Sequence, residues 1–378
     1  MGILSTCKPQ PYMEATRIGA SLCTTAALTA LAVVLYARFA SVLGIVDQPG
    51  GRKVHGRTVP LVGGLAVFTG LLVSAYVVGV AVHSAWFLLA LAIVIAVGCW
   101  DDVSEISPHV KLVIQIAACA VMIWGAGIEL RTIGDIVGWR SIGLWILAVP
   151  MTIFAVVGVV NAVNMMDGID GLAGSISLVA MCWYAFVAAQ SGLDVQSMTA
   201  WLLCGAIAGF LVFNLRFPWQ PQARVFLGDA GSLMLGFALG WYAIDLTQGP
   251  GRTFPPIAAL WVIVLPLVDC VSLMVRRLRA DKSPFVADRG HIHHYLLARG
   301  FTSSQTLAIL VGVSVLCGAV GYFGWVFKVS EAALFYPFFF GFFAFHAWIQ
   351  RAWSQLETSQ GTIEDAPSQL SDQGEAAA

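Results

Sequence analysis

The stretch VPMTIFAVVGVVNAVNMMDGIDGLAG, residues 149–174, decides the fold. It begins as an apolar run fit for a bilayer interior and then turns polar. Asn161, Asn164, Asp167 and Asp170 follow one another at intervals of three. Residues three apart share one face of a helix, so these polar groups would line one side of its end. Gly168, Gly171 and Gly174 permit a tight turn and close approach of a ligand to the backbone. The pattern places carboxylates and amides where an apolar helix leaves a membrane.

The rest of the chain repeats the apolar half of that pattern. Its 378 residues are 58% hydrophobic and only 11% charged, against about 25% charged in an ordinary soluble domain. Each apolar run of near 20 residues can cross a hydrocarbon core of about 30 Å. About eleven such runs centre on 18–44, 60–82, 85–100, 109–127, 142–163, 171–191, 198–215, 230–247, 255–275, 304–326 and 332–350. The expectation is an all-α integral membrane protein of about eleven transmembrane helices. The first run is too long for a signal-peptide core and reads as a retained span. The membrane domain covers 1–354, and the polar, acidic segment 355–378 reads as a disordered tail. The eight cysteines include no CxxC pair and read as small core hydrophobes, which excludes a disulfide framework.

Alternation of the runs sorts the loops into two sets. One set, 45–59, 101–110, 164–170, 216–229, 276–303 and the tail, holds most of the Lys and Arg residues. The positive-inside rule makes that set cytoplasmic, with the N-terminus outside (periplasmic) and the C-terminus cytoplasmic. The unusual polar residues crowd the same face, while the outer loops hold no comparable cluster. Asp245, near an outer end, reads as interfacial.

Several groups on that face suit chemistry. Asp101 and Asp102 end the third span, where carboxylates oppose the helix dipole and need a task. Asp167 and Asp170 share a helix face; Asp170 also reads as an N-cap. Asp229, in FLGDAGS (226–232), reads as an N-cap too, and the glycines around it suit a helix start that holds an anion. His291, His293 and His294 sit in an arginine-rich loop, without the spacing of a zinc site. Arg52, Lys53, His55 and Arg57 form a basic loop that also serves as a topology signal. Arg276, Arg277 and Arg279 read as headgroup anchors. Asp269 lies inside a span and is a functional candidate or an arginine partner. Hard oxygen donors on one face suit Mg²⁺ or Mn²⁺. Metal, cations and a positioned nucleophile are the parts of phosphoryl transfer.

The segments DQPGGRKVHGRTVPLVGG (47–64), DD (101–102), NAVNMMDGIDGLAG (161–174), FNLRFPWQPQARVFLGDAGS (213–232), PLVD (266–269) and DRGHIHH (288–294) resemble, in order, the polyprenyl-phosphate N-acetylhexosamine-1-phosphate transferase family. The resemblance spans about 250 residues. It implies attack of undecaprenyl phosphate on the β-phosphate of a UDP-N-acetylhexosamine, giving a lipid diphosphate sugar and UMP. It also implies a bacterial inner-membrane protein, and it allows a homodimer; no nucleic acid enters. By position, the candidate catalytic residues are Asp101, Asp102, Asp229, His291, His293 and His294. Asp101 or Asp102 would deprotonate or orient the lipid phosphate. Arg52, Lys53, His55, Lys111, Asn161, Asn164, Asp167, Asp170, Asn214 and Gly228 would bind substrate. Asp229, Asp167 and Asp170 would hold Mg²⁺ or Mn²⁺. The loop HIHHY (291–295) matches the branch that uses simple UDP-sugars, above all UDP-N-acetylglucosamine, rather than the muramoyl-pentapeptide branch.

Two other classes are weighed. An intramembrane aspartyl protease needs GxGD, and Phe226 stands where its first glycine would be. A cation-coupled transporter places ionisable groups near the midplane and is built from repeats, neither of which the sequence offers.

Overall fold

The computed structural model describes residues 11–47, 58–80, 82–249, 251–281 and 290–375, with the side chains of 11–15 and 357–375 outside the description. Every apolar run marked out above is helical. They are α1 (Pro11–Leu43), α2 (Gly63–Val78), α3 (Ala85–Val103), α4 (Pro108–Ala120), α5 (Ala148–Met166), α6 (Leu172–Gln190), α7 (Asp194–Asn214), α8 (Gly228–Asp245), α9 (Pro256–Val262), α10 (Val264–Arg279), α12 (Ser303–Val326) and α13 (Glu331–Glu375), with the short α11 (Ile292–Ala298) carrying the histidines. Eight described helices are long and apolar enough to cross a membrane, or nine if α9 and α10 form one bent span. The 16-residue α2 and the glycine-rich α8 fall outside that count.

The run expected as one span over 255–275 is broken. The axes of α9 and α10 differ by 83°, and the break falls at Ile263. Pro266 supplies the reason. In one continuous helix it would leave the Val262 carbonyl without a donor and press its ring against it. The break puts Pro266 in the first turn of α10, where no intrahelical N–H is needed.

α8 forms the axis of the bundle. Every residue from Ala230 to Tyr242 is buried, with α2, α3, α5 and α6 packed around it. Apolar lipid gives helices little hydrophobic reason to associate, so close packing of small residues takes over. A Cβ on Gly98 would lie 2.3 Å from the Ala230 Cα, and one on Gly64 would lie 2.3 Å from the Gly231 amide. These contacts bring α2 and α3 against the first turn of α8, where Asp229 sits.

A short antiparallel pair, β1 (Val46–Asp47) and β2 (Val59–Pro60), closes the loop between α1 and α2. Arg52, Lys53, His55 and Arg57 lie outside the described residues. The end of their loop is nevertheless fixed: Pro60 O accepts from the Phe226 amide at 2.9 Å, and Gly64 N donates to Leu227 O at 3.0 Å. That stitches β2 and the start of α2 to the approach to Asp229. α13 continues as helix to Glu375; the tail placed at 355–378 stays an expectation from composition.

The other end of α8 corrects the reading of Asp245 as interfacial. Asp245 is buried, with His83 Nε2 at 2.7 Å from its Oδ2 and Arg252 Nη2 at 3.3 Å from its Oδ1. A cavity of about 330 Å³ opens there, lined among others by Glu129, Arg131, Gln248 and Arg252. That end of the bundle therefore has a polar cluster of its own.

Candidate active site

α3 ends on its two aspartates, and the structure gives them separate tasks. Asp102 Oδ1 accepts from the Asp229 amide at 2.8 Å, and Oδ2 accepts from the Ala230 amide at 3.2 Å. The carboxylate thus caps α8 from a neighbouring helix and meets the positive end of its dipole. Gly228 has φ 73°, and a Cβ there would lie 2.6 Å from Asp102 Oδ2. Only glycine admits both the left-handed backbone and the carboxylate.

With α8 capped from outside, the Asp229 side chain is free of the N-cap task. Lys111 Nζ lies 2.8 Å from Asp229 Oδ2 and also bonds Asp101 Oδ2. Asp101 Oδ1 accepts from the Ile106 amide at 2.9 Å. Asn164 Nδ2 donates to Asp229 Oδ1 at 3.1 Å and to Ser232 Oγ at 2.9 Å. Helices α3, α4, α5 and α8 thereby converge on one carboxylate. One turn along α4 and α5, Asn161 Nδ2 donates to Gln115 Oε1 at 2.9 Å. Gln115 is buried and was missed by the sequence reading. Its signal was available: an amide four residues after Lys111, on the same face of an apolar helix.

Asp167 ends α5. Its surface is open to solvent. Desolvation by the protein atoms around it, then the charges of Asp229, Asp102 and Asp170, push its carboxyl up to about 7. Asp170 faces elsewhere: its Oδ2 accepts from Arg216 Nε at 2.7 Å and from the Ala223 amide at 3.1 Å. It does not cap α6, whose cap position is Gly171. Asn214 is structural in the same way, accepting from the Gly171 amide at 2.9 Å and donating to Val225 O at 2.8 Å.

The histidines join this recess. A Cβ on Gly168, next to Asp167, would lie 2.2 Å from His293 Nε2. His293 is fully buried, and neither ring nitrogen has a hydrogen-bond partner among the described residues. Burial, then His294 and His291, depress its pKa to about 2. Its ring stacks 5.4 Å from that of His291 and lies tilted 4.1 Å from that of His294. Asp269 pairs with His291 Nδ1 at 2.7 Å, where the sequence suggested an arginine. Arg276, read as a headgroup anchor, donates to Gly290 O at 2.5 Å, and Arg277 is buried. Arg276 thereby holds the start of the histidine segment.

Among the described residues, no three His, Cys, Asp or Glu side chains converge as a ready metal shell. The donor chemistry fits a hard divalent ion all the same. Asp229 and Asp101 share a cation already, in the form of Lys111, and Asp167, raised first by desolvation, also feels the charges of Asp229, Asp102 and Asp170. Mg²⁺ is commonly held by one or two carboxylates together with substrate phosphates.

Fold and site together define a multi-pass, all-α membrane protein with an acidic recess at one end of its bundle. The chain belongs to glycosyl transferase family 4, whose model matches residues 84–247 and so contains Asp101, Asp102, Lys111, Asn164, Asp167 and Asp229. A Haemophilus influenzae protein is 36% identical over 324 residues, covering 85% of this chain and 91% of its own. Proteins of Salmonella typhi (34% over 330 residues; 86% and 89%) and Escherichia coli K12 (32% over 343 residues; 90% and 93%) are similar over the same extent. All three carry the name undecaprenyl-phosphate alpha-N-acetylglucosaminyl 1-phosphate transferase.

Proposed function

We propose that the protein transfers N-acetylglucosamine-1-phosphate from UDP-N-acetylglucosamine to undecaprenyl phosphate, releasing UMP. The observation that carries this is the convergence of Asp101, Lys111, Asn164 and Asp229 inside the region shared with transferases of that name. The recess faces the cytoplasm, with the N-terminus outside, eleven spans and the bacterial inner membrane as its place. The product begins a cell-surface polysaccharide such as an O-antigen.

Asp229 and Asp167 would hold Mg²⁺ or Mn²⁺; Asp170, expected beside them, is instead engaged by Arg216 and the Ala223 amide. Bound there, the ion would supply Lewis-acid neutralisation of phosphate charge. Lys111 has three donors and spends two on Asp101 and Asp229; the third is available to a phosphate oxygen. Asn164 holds Asp229 in one orientation. Asp102 aims the start of α8 and therefore Asp229. His291 and His294, with Arg52, Lys53 and His55 from the basic loop, meet the phosphates and sugar. Direct attack by the lipid phosphate is favoured over an aspartyl intermediate, because Asp101, Asp102 and Asp229 each have both oxygens engaged by donors.

The test is UMP release by purified protein with undecaprenyl phosphate, Mg²⁺ and, in parallel, UDP-GlcNAc, UDP-GalNAc and UDP-MurNAc-pentapeptide. Lipid-dependent release with UDP-GlcNAc is expected. Release with another sugar alone would replace the substrate, and no release from folded protein with any of them would overturn the reading.

A further inference from the structure

The histidine segment is tied down by Asp269, which the sequence offered as a functional candidate or an arginine partner. Asp269, on α10, is 1% exposed. Its Oδ2 lies 2.7 Å from His291 Nδ1, and its Oδ1 accepts from the Ile292 amide at 2.9 Å. An ionised carboxylate only accepts hydrogen bonds. Nδ1 therefore carries a hydrogen, and in the neutral ring Nε2 is left with the lone pair. Arg276, from the same helix, fixes the preceding residue through Gly290 O. The ring cannot turn, or change tautomer, without giving up one of these bonds.

The carboxylates expected to act on the lipid phosphate are already engaged. Both oxygens of Asp102 hold α8, and those of Asp101 hold Ile106 N and Lys111. His293 cannot substitute, since both of its ring nitrogens are sealed from solvent; His291 is 5% exposed, but its Nε2 is not among the sealed atoms. His291 stacks on His293, so the Asp269–His291 pair belongs to the same recess as Asp167.

We propose that Asp269 is a positioning residue for the transfer reaction, holding His291 in the Nδ1–H tautomer so that Nε2 takes the proton of the attacking lipid phosphate. This rests on the transferase reading above. The phosphate O–H bond breaks and the Nε2–H bond forms. The freed oxygen pair bonds to the β-phosphorus, and UMP leaves with the electrons of the old P–O bond. Asp269 goes on accepting from Nδ1–H, and the imidazolium returns its Nε2 proton to water after the product departs. A fixed base of this kind contributes roughly 10²–10⁴-fold to a rate.

Asp269→Asn tests it. The asparagine still accepts from Ile292 N, but its amide hydrogens face Nδ1 and drive the ring proton to Nε2. The purified variant should lose about 10²-fold or more in kcat, with the KM for UDP-GlcNAc within about threefold of wild type. His291→Gln should lose a similar factor, and the double variant should be no slower than either single one, because both remove one device. Wild-type turnover by Asp269→Asn, or losses that multiply in the double variant, would overturn the proposal. If Asp269→Asn does not fold, His291→Asn decides: it keeps an N–H for Asp269 and lacks Nε2. The same loss is then expected, and full activity would sink the idea. A wild-type protein that releases no UMP would instead count against the transferase reading.

Discussion

Asp102 holds the amide of Asp229 at 2.8 Å, across 127 residues of sequence. One helix thus supplies the cap of another, and the capped residue keeps its carboxylate for other work. Asp102→Asn should therefore act twice. Loss of the charge and of one acceptor at a helix start costs about 1–2 kcal/mol, read as a lower unfolding temperature in detergent. Turnover should fall by about 10-fold or more as Asp229 loses its aim, since each 1.4 kcal/mol of transition-state stabilisation is tenfold. Faster hydrogen exchange at the start of α8 would accompany both effects. Unchanged exchange and unchanged turnover would show that α8 needs no cap from α3.

Lys111 is the cation between Asp101 and Asp229. Replacing it with Met removes a donor aimed at the reacting phosphates. Loss of one preorganised donor of this kind costs about 10²–10³-fold in kcat. UMP release should drop by that factor in Lys111→Met. Arginine should restore it only in part, because a planar fork does not replace a compact ammonium. A Met variant at half the wild-type rate would remove Lys111 from the chemistry.

Asp229→Asn leaves an acceptor for Lys111 and an amide near Asn164, but it deletes a charged donor for the divalent ion. Turnover should be lost by about 10²-fold or more, and the Mg²⁺ concentration for half-maximal rate should rise. A variant with normal rate and normal Mg²⁺ response would place the ion elsewhere.

The helices were legible because membrane spans declare themselves by length and apolar content. The polar stretches at their ends were legible as a set because a carboxylate or amide there has no packing reason to exist. The pairings were not. Asp269 meets His291 across 22 residues of sequence, and Asp102 meets α8 only once α3 packs on Ala230. Such contacts depend on helix placement, which apolar periodicity does not specify. The break at Ile263 was hidden for another reason: membrane helices tolerate proline, so Pro266 alone did not announce it. His83 and Asp245 looked unrelated because a lone histidine in an apolar context carries no pattern.

His83→Ala leaves Asp245 buried with Arg252 as its remaining side-chain partner of the two. Loss of a buried hydrogen bond to a charged group costs about 1.5–3 kcal/mol, so the unfolding temperature should fall by several degrees. Turnover per folded molecule should stay within about twofold of wild type. Asp245 lies 16 residues beyond Asp229 on α8, which is about 24 Å of helix. A large loss of kcat with intact stability would mean that the two ends of the bundle are coupled.

His293 gives a pH signature. Burial and the neighbouring histidines hold its pKa at about 2, against about 6.5 in an unfolded chain. Between those values the unfolded chain binds a proton that the folded protein does not, so stability falls as pH drops below about 6.5, by about 1.4 kcal/mol per pH unit. Asp167 has the opposite sign: raised to about 7, it binds its proton more tightly when folded, and stability from it is lost as pH rises through roughly 4 to 7. The two effects are separated by subtraction. His293→Gln removes the first and keeps the second, so unfolding free energies of variant and wild type should converge as pH is lowered from 6.5 to 4.5. Parallel curves across that interval would show that His293 takes up a proton in the folded protein, and that the recess around Gly168 opens to water.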